Sequence, residues 1–320
     1  MIDFRYHLVS IIAVFLALAI GIVVGTTALN GYVVDDLRSR NGAVIKDKRS
    51  LEGLVRDLRN QVSRRDQFAT AVAPEVVAGQ LVGERVLLVT TPGASDQVVK
   101  DLTALITTAG GTPTGQLRLR GDLLDPSKRS VVDDVVAKVA PAGLSLPDSS
   151  AGDRAALELA AASVTGSGPD LADDAAAKIL GGFTGADLVD VQQPAGRKSG
   201  STLTQATLAL VVTAGSDGKA LDDVGKQRQQ LVLALLRSLD ARSSGAVLAG
   251  PESAAGTGGL IEVLRNDSSL SDQISSVDTA DTAYGGVSAI LALHEQAAGR
   301  SGRYGQGPGS QAAAPALTAQ

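Results

Sequence analysis

The 320-residue chain contains no cysteine and no tryptophan, one methionine and two histidines. Without thiols it can form no disulfide, no thiolate nucleophile and no cysteine-based zinc or copper(I) site. Met1 is the single thioether, so the soft ligands that copper(I) prefers are nearly missing. Aromatic residues make up 2%, and four of the eight fall in the first 32 positions: Phe4, Tyr6, Phe15 and Tyr32. The rest of the core must be built from Val, Leu, Ile and Ala. Lys and Arg total 29 against 34 Asp and Glu, a net charge of −5. This gives no basic excess for a nucleic-acid partner. No G-x-G-x-x-G, no G-x-x-x-x-G-K-[ST] and no G-x-S-x-G occurs. These absences point to a non-enzymatic chain with no cofactor.

What is present begins with a long apolar run, Leu8 to Leu29, LVSIIAVFLALAIGIVVGTTAL, without a charged side chain. As a helix it spans roughly 33 Å, close to the hydrocarbon thickness of a bilayer. A cleaved leader would carry a shorter apolar core and an A-x-A-like site. This run is longer and lacks one, which favours an uncleaved signal anchor at 8–29 behind a cytoplasmic 1–7. Tyr6 and Tyr32 flank it, where amphipathic rings favour the interface. Counting basic residues alone places the downstream side in the cytoplasm. Long domains translocate largely regardless of charge, so the expected orientation is N-in, C-out, single-pass, with an extracytoplasmic domain. Ala13, Ala17, Gly21 and Gly25 form a ridge of small residues that lets two helices approach closely.

A heptad pattern follows from Val34 to Val72, within a predicted coiled-coil stalk at 33–73. Position a holds Val34, Asn41, Lys48, Val55, Val62 and Ala69; position d holds Leu37, Val44, Leu51, Leu58, Arg65 and Val72. Apolar residues dominate the seam, and Asn41 at a is a device for fixing a two-stranded register. Two anchors entering one membrane also favour a parallel homodimer. A lone helix laying its stripe on the domain is the alternative, and Asn41, Lys48 and Arg65 fit such a dry seam poorly. Pro74 is expected to end the helix.

Residues 83–305 read as an α/β domain. A buried strand at Arg85 to Thr91 leads through Pro92-Gly93 to a helix from Ser95 to Ala109 and a second strand near Gln116 to Leu119. Helices are expected at 131–139, 155–164, 171–180, 224–241, 258–265 and 282–298, with strands at 207–213, 246–249 and 274–277. The alternation predicts a mainly parallel, Rossmann-like or flavodoxin-like sheet with helices on both faces. Residues 306–320, rich in Gly, Pro and Ala, are expected to form a disordered tail.

In open α/β sheets ligands bind beyond the carboxyl ends of the strands. Two loops fall there, Thr91-Pro92-Gly93-Ala94-Ser95 and Gly250-Pro251-Glu252-Ser253. Thr91, Gly93 and Ser95 can hold an anion or partner at a helix start, although turn chemistry is the favoured reading. His294, amid Leu291, Leu293 and Ala297, reads as a packing or surface histidine. The pairs Asp133-Asp134, Asp173-Asp174 and Asp222-Asp223 read as solvated helix surface, because adjacent helical residues do not share a face. Asp278 and Asp281 read as caps of the last helix. No metal site is expected.

The N-terminus carries Phe4-Arg5-Tyr6-His7-Leu8-Val9-Ser10. The C-terminal end carries Ser276-Val277-Asp278, Ala292-Leu293-His294-Glu295 and Gly302-Arg303-Tyr304-Gly305. With the stalk and the α/β middle, these motifs resemble the actinobacterial copper transporter family, MctB, a group that also includes SteB-type envelope proteins. The resemblance singles out Arg5, His7, Ser10, Asp278, His294, Tyr304 and Gly305. It implies copper homeostasis or efflux at the cell envelope, and allows outer-membrane placement. For the SteB-type branch it implies a dimeric scaffold that binds an envelope or cell-separation partner. Arg303 stands where family members often carry histidine, removing one of few candidate ligands. Copper is therefore expected to be handled indirectly.

Overall fold

A computed structural model describes residues 4–141, 144, 149–167, 171–194 and 203–317; within the first helix it describes the side chains of 6–26, 40–42 and from 44 onward. The chain divides into two compact units, Met1–Arg65 and Asp66–Gln320.

The first unit is helical throughout its described length, as part of α1 (Phe4–Val77). Tyr6–Thr26 has a mean hydropathy of 2.9, long and apolar enough to cross a membrane. Its apolar side chains, Leu16 and Val23 among them, are exposed. A Cβ built on Gly21 or Gly25 meets nothing within 4 Å, so the ridge is open to a neighbour. Further along, Val44, Leu51, Leu58 and Val62 are more than half exposed and Val55 is 44% exposed. Asn41 is exposed beside them. Lys48 pairs with Glu52 one turn on, at 3.8 Å. Arg5 and Leu37 lie outside the described side chains.

The second unit begins inside α1. The helix does not stop at Pro74 but runs on to Val77. Proline removes one backbone donor, but Ala78 N–H still donates to Pro74 O at 3.0 Å. Ala73 and Val77 are buried in the core, and that burial offsets the lost bond.

Seven strands among the described residues form one mixed, mostly parallel sheet: β1 (Arg85–Thr90), β2 (Thr112–Leu119), β3 (Val189–Gln192), β4 (Leu208–Val212), β5 (Ala246–Ala249), β6 (Ser275–Val277) and β7 (Arg303–Tyr304). Their order is β3-β2-β1-β4-β5-β6-β7, and only β3 runs antiparallel to its neighbour. The order reverses at β1, which pairs with β2 on one side and β4 on the other. The helices of this unit are α2 (Asp96–Thr108), α3 (Arg129–Val139), α4 (Ala151–Ser163), α5 (Asp173–Gly185), α6 (Asp223–Arg242), α7 (Leu260–Asn266), α8 (Ser268–Ser271) and α9 (Ala283–Ala297).

Central strands read as unbroken apolar runs because both faces are covered. Val86 and Leu88 of β1, with Leu208, Leu210 and Val212 of β4, pack under α2 and α9 with the end of α1. Leu87 and Val89, with Ala209 and Val211, pack on the other face under α3, α4, α5, α6 and α7. Alternate side chains of a strand point to opposite faces, so each strand feeds both cores.

The expected elements from β1 to α9 lie where the sequence placed them, within a few residues. Two strands were not expected. β3 is a short edge strand, and β7 lies at the very end of the expected domain, just before the expected tail. That tail is not disordered through its described length: residues 306–317 fold back on the domain, with Gly305 N–H donating to Ala312 O at 2.9 Å and Ser288 Oγ to Ala313 O at 3.4 Å.

Candidate functional site

Two places in the second unit gather the residues that sequence singled out. The first lies beyond the carboxyl ends of β1 and β4, where the strand order reverses and ligands of α/β sheets bind. A cleft of about 470 Å³ opens there. Its walls are Thr91 and Pro92 after β1, Asp122 and Asp125 after β2, Ala214 and Gly215 after β4, and Arg228 and Gln229 of α6. Leu124, Val232 and Leu260 give it an apolar floor.

The loop Thr91–Ser95 contributes Thr91 and Pro92 to this lining, but not Gly93 or Ser95. The Thr91 hydroxyl accepts from Ala214 N–H at 3.3 Å and lies 3.4 Å from Thr213 Oγ1, so it knits the β1 and β4 loops together. Gly93 adopts φ +83, a left-handed turn, with Ala214 Cβ 3.3 Å from where its own Cβ would sit. Ser95 caps α2, accepting from Val98 N–H. All three residues thus take part in turn or cap contacts. The Gly250–Ser253 loop is also tied down: Gly250 N–H donates to Val277 O, and Gly250 O accepts from Ala280 N–H, both at 2.9 Å.

Asp125 accepts from Ser127 N–H at 2.9 Å, and that bond holds its carboxyl below the usual carboxylate range. The cleft thus presents ionised carboxylate opposite the Arg228 guanidinium. Among the described residues its lining holds no imidazole to activate a nucleophile.

The second place is a buried ion pair at the other end of the sheet order. Asp278 does not cap α9; Thr282 does, accepting from Gly285 N–H at 3.1 Å. Asp278 turns inward instead, fully buried, and its Oδ2 meets Arg265 Nη1 at 2.6 Å. The capping expectation fails because the inward carboxylate finds a guanidinium that no motif announced. Arg265 is an isolated basic residue on an amphipathic helix, a pattern that ordinarily marks the solvent side.

The pair is a closed hydrogen-bonding unit. Arg265 Nε donates to Ser276 Oγ at 3.0 Å, Nη2 to Tyr304 O at 2.8 Å and Nη1 also to Pro308 O at 2.8 Å. Asp278 Oδ1 accepts from Gln306 N–H at 2.8 Å and Oδ2 from Gly307 N–H at 3.0 Å. Gly305 sits at φ +125, and a Cβ there would lie 2.0 Å from Asp278 Oδ1. Only glycine fits. Tyr304 O–H donates to Glu295, and burial raises the phenol above its ordinary range. Ser276, Asp278, Glu295, Tyr304 and Gly305 therefore belong to one latch that binds residues 303–308 to the sheet.

His294 is not part of it. Its ring Nδ1 bonds Gln80 O at 2.8 Å, so it donates there and ties α9 to the turn after α1, as a packing histidine does. His7 and Ser10 are exposed on the apolar helix of the first unit. The paired aspartates act as expected of helix surfaces. Asp133 pairs with Arg154, Asp222 caps α6, and Asp223 pairs with Lys226. Among the described residues no group of three or more His, Cys, Asp or Glu converges to hold a metal ion. The residues present do not fit a copper(I) cage, which needs soft ligands.

A mixed α/β sheet, with an N-terminal apolar helix long enough to cross a membrane, points to a membrane-associated α/β protein. The chain belongs to the MctB family, described as copper transport outer membrane protein, MctB, whose family model matches residues 1–315. It is similar to proteins named copper transporter MctB in Mycobacterium tuberculosis and Mycobacterium bovis. Each is 29% identical over 318 residues, covering 97% of this chain and 98% of the relative. The Mycobacterium leprae protein of the same name is also 29% identical over the same span.

Proposed function

We propose that this chain is a single-pass, non-enzymatic envelope protein that supports copper homeostasis through partners, without caging the metal itself. One conjunction carries this reading. The copper-transport family covers residues 1–315, yet the chain has no cysteine, one methionine and two histidines, and no three-ligand group among its described residues. The orientation is N-in, C-out, with the α/β domain extracytoplasmic. Protease protection on spheroplasts tests it, and a domain that resists digestion from outside overturns it.

In this reading the protein is a parallel homodimer. The support is the open ridge at Gly21 and Gly25 and the exposed stripe Val44, Leu51, Val55, Leu58 and Val62, with Leu37 and Asn41 extending the same heptad. A Leu51→Cys chain, otherwise free of thiols, then cross-links to itself on oxidation, while Lys46→Cys on the opposite helix face does not. Equal behaviour of the two variants overturns the pairing. The strand order with its reversal at β1 supports a Rossmann-like domain. The same stripe also favours a second reading, a dimeric scaffold for an envelope or membrane partner.

The functional test is genetic. A strain lacking the protein becomes copper-sensitive, and a His7→Ala, His294→Ala double variant restores tolerance. Unchanged sensitivity overturns the copper role. Failure of a correctly folded double variant overturns the indirect one.

A further inference from the structure

Glu158, in the middle of α4, is fully buried, and neither carboxyl oxygen has a hydrogen-bond partner. It sits on an Ala-rich helix, flanked by Ala155, Ala156, Leu159, Ala160, Ala161 and Ala162, all buried. A carboxylate stripped of water and unpaired is so unfavourable that the group holds its proton instead.

Helix α4 packs against α3, α5 and α6. These helices carry Arg129, Asp133, Asp134 and Lys138; Asp173, Asp174 and Lys178; and Asp223, Lys226, Arg228, Arg237, Asp240 and Arg242. Of the charges around it, the one that acts on Glu158 is Arg154, one turn earlier on its own helix and on the same face. Arg154 is committed elsewhere. Its Nη2 donates to Asp133 Oδ1 of α3 at 2.5 Å, while its Nε is buried and unpartnered. A donor without an acceptor and an acceptor without a donor thus stand one helical turn apart.

We propose that Arg154 is the moving part of a proton-operated latch between α3 and α4. With Glu158 protonated, Arg154 holds Asp133 and ties the two helices together. With Glu158 ionised, Arg154 turns back to the buried carboxylate and releases α3. The proton leaves to solvent and no other bond is made or broken. Burial pushes the carboxyl up to about 7, so the exchange falls near neutral pH.

The latch governs access to a cavity. Arg129 and Val132 of α3, and Ala151 and Asp153 in the first turn of α4, line a hollow of about 350 Å³. It shares Leu124 and Asp125 with the cleft at the strand-order reversal. Loosening α3 opens that wall. The regulated quantity is entry to the cleft, and the signal is the pH on the domain's side of the membrane.

Hydrogen exchange read by mass spectrometry on the full chain in detergent micelles tests this, at pH 5.5 and pH 8.0, with rates divided by their intrinsic values. Peptides covering 129–139 lose protection by about tenfold at the higher pH. In Glu158→Gln their protection is the same at both values, and in Asp133→Asn it is low at both. Should Glu158→Gln fail to fold, Glu158→Met serves in its place with the same expected outcome. Equal wild-type protection at the two pH values overturns the proposal. So does tighter protection at pH 8.0, or a pH response that survives removal of the Glu158 carboxyl.

Discussion

Replacing Asp278 with alanine removes three interactions at one stroke: the Arg265 ion pair and the bonds from the Gln306 and Gly307 amides. The larger consequence is what remains. The Arg265 side chain is 3% exposed and is left as an uncompensated buried charge, with two main-chain donors beside it unsatisfied. Breaking a buried pair from one side costs about 3–5 kcal/mol. For a unit of this size 1 kcal/mol shifts the melting point by roughly 2–4 °C, so the loss is on the order of 6–20 °C. The measurement is the Tm of the full chain in detergent, with limited proteolysis to follow residues 305–317. Those residues become the first cleavage site, because their anchor is gone. Arg265→Met added to Asp278→Ala recovers part of the loss, since no lone charge is then buried. A fall of less than about 2 °C for Asp278→Ala, or no recovery in the double variant, refutes the latch as the reason these residues occur together.

Gly305→Ala places a methyl group against the Asp278 carboxylate at a left-handed backbone position. It destabilises by more than the roughly 1–2 kcal/mol that the backbone conformation alone costs, read as Tm. Ser95→Ala removes the α2 cap and lowers stability by about 1 kcal/mol, without affecting the Thr91 contact between the loops. Burial pushes the Glu158 carboxyl up to about 7 from an ordinary value near 4.5, so the folded protein holds an extra proton between those pH values. Stability therefore falls as pH rises from about 4.5 to about 7 and is flat above, a loss of roughly 3 kcal/mol that Glu158→Gln lacks. Melting both proteins from pH 4.5 to 8 checks the sign, and parallel curves contradict it.

Much of the domain was legible in the sequence because its signals are local. The unbroken apolar runs of β1 and β4, the Ser95 cap and the amphipathic stripe of α2 each need only a few neighbouring residues to declare themselves. The misreadings share a different cause. Asp278 resembled a cap because a strand precedes it and a helix follows. Its true partner, Arg265, is 13 positions away, on a helix where a lone arginine ordinarily faces water. Residues 306–317 resembled a tail because Gly, Pro and Ala suggest disorder. Their order comes from backbone groups meeting Asp278 and Arg265, which composition does not report. Pro74 resembled a helix end, and the burial of Ala73 and Val77 carries the helix past it. Glu158 gave no signal, since one carboxylate in an Ala-rich helix reads as its wet side. Of the residues in the family motifs, Asp278, Tyr304 and Gly305 lie in one latch and His294 makes a helix contact.

We propose that this member of the copper-transport family contributes to copper handling without holding the metal. The most direct test is competition for copper(I) between the purified full-length chain in detergent and a chromophoric copper(I) chelator, under reducing conditions. The chelator is expected to keep its copper at every protein concentration tried. Stoichiometric withdrawal of copper by the protein contradicts it.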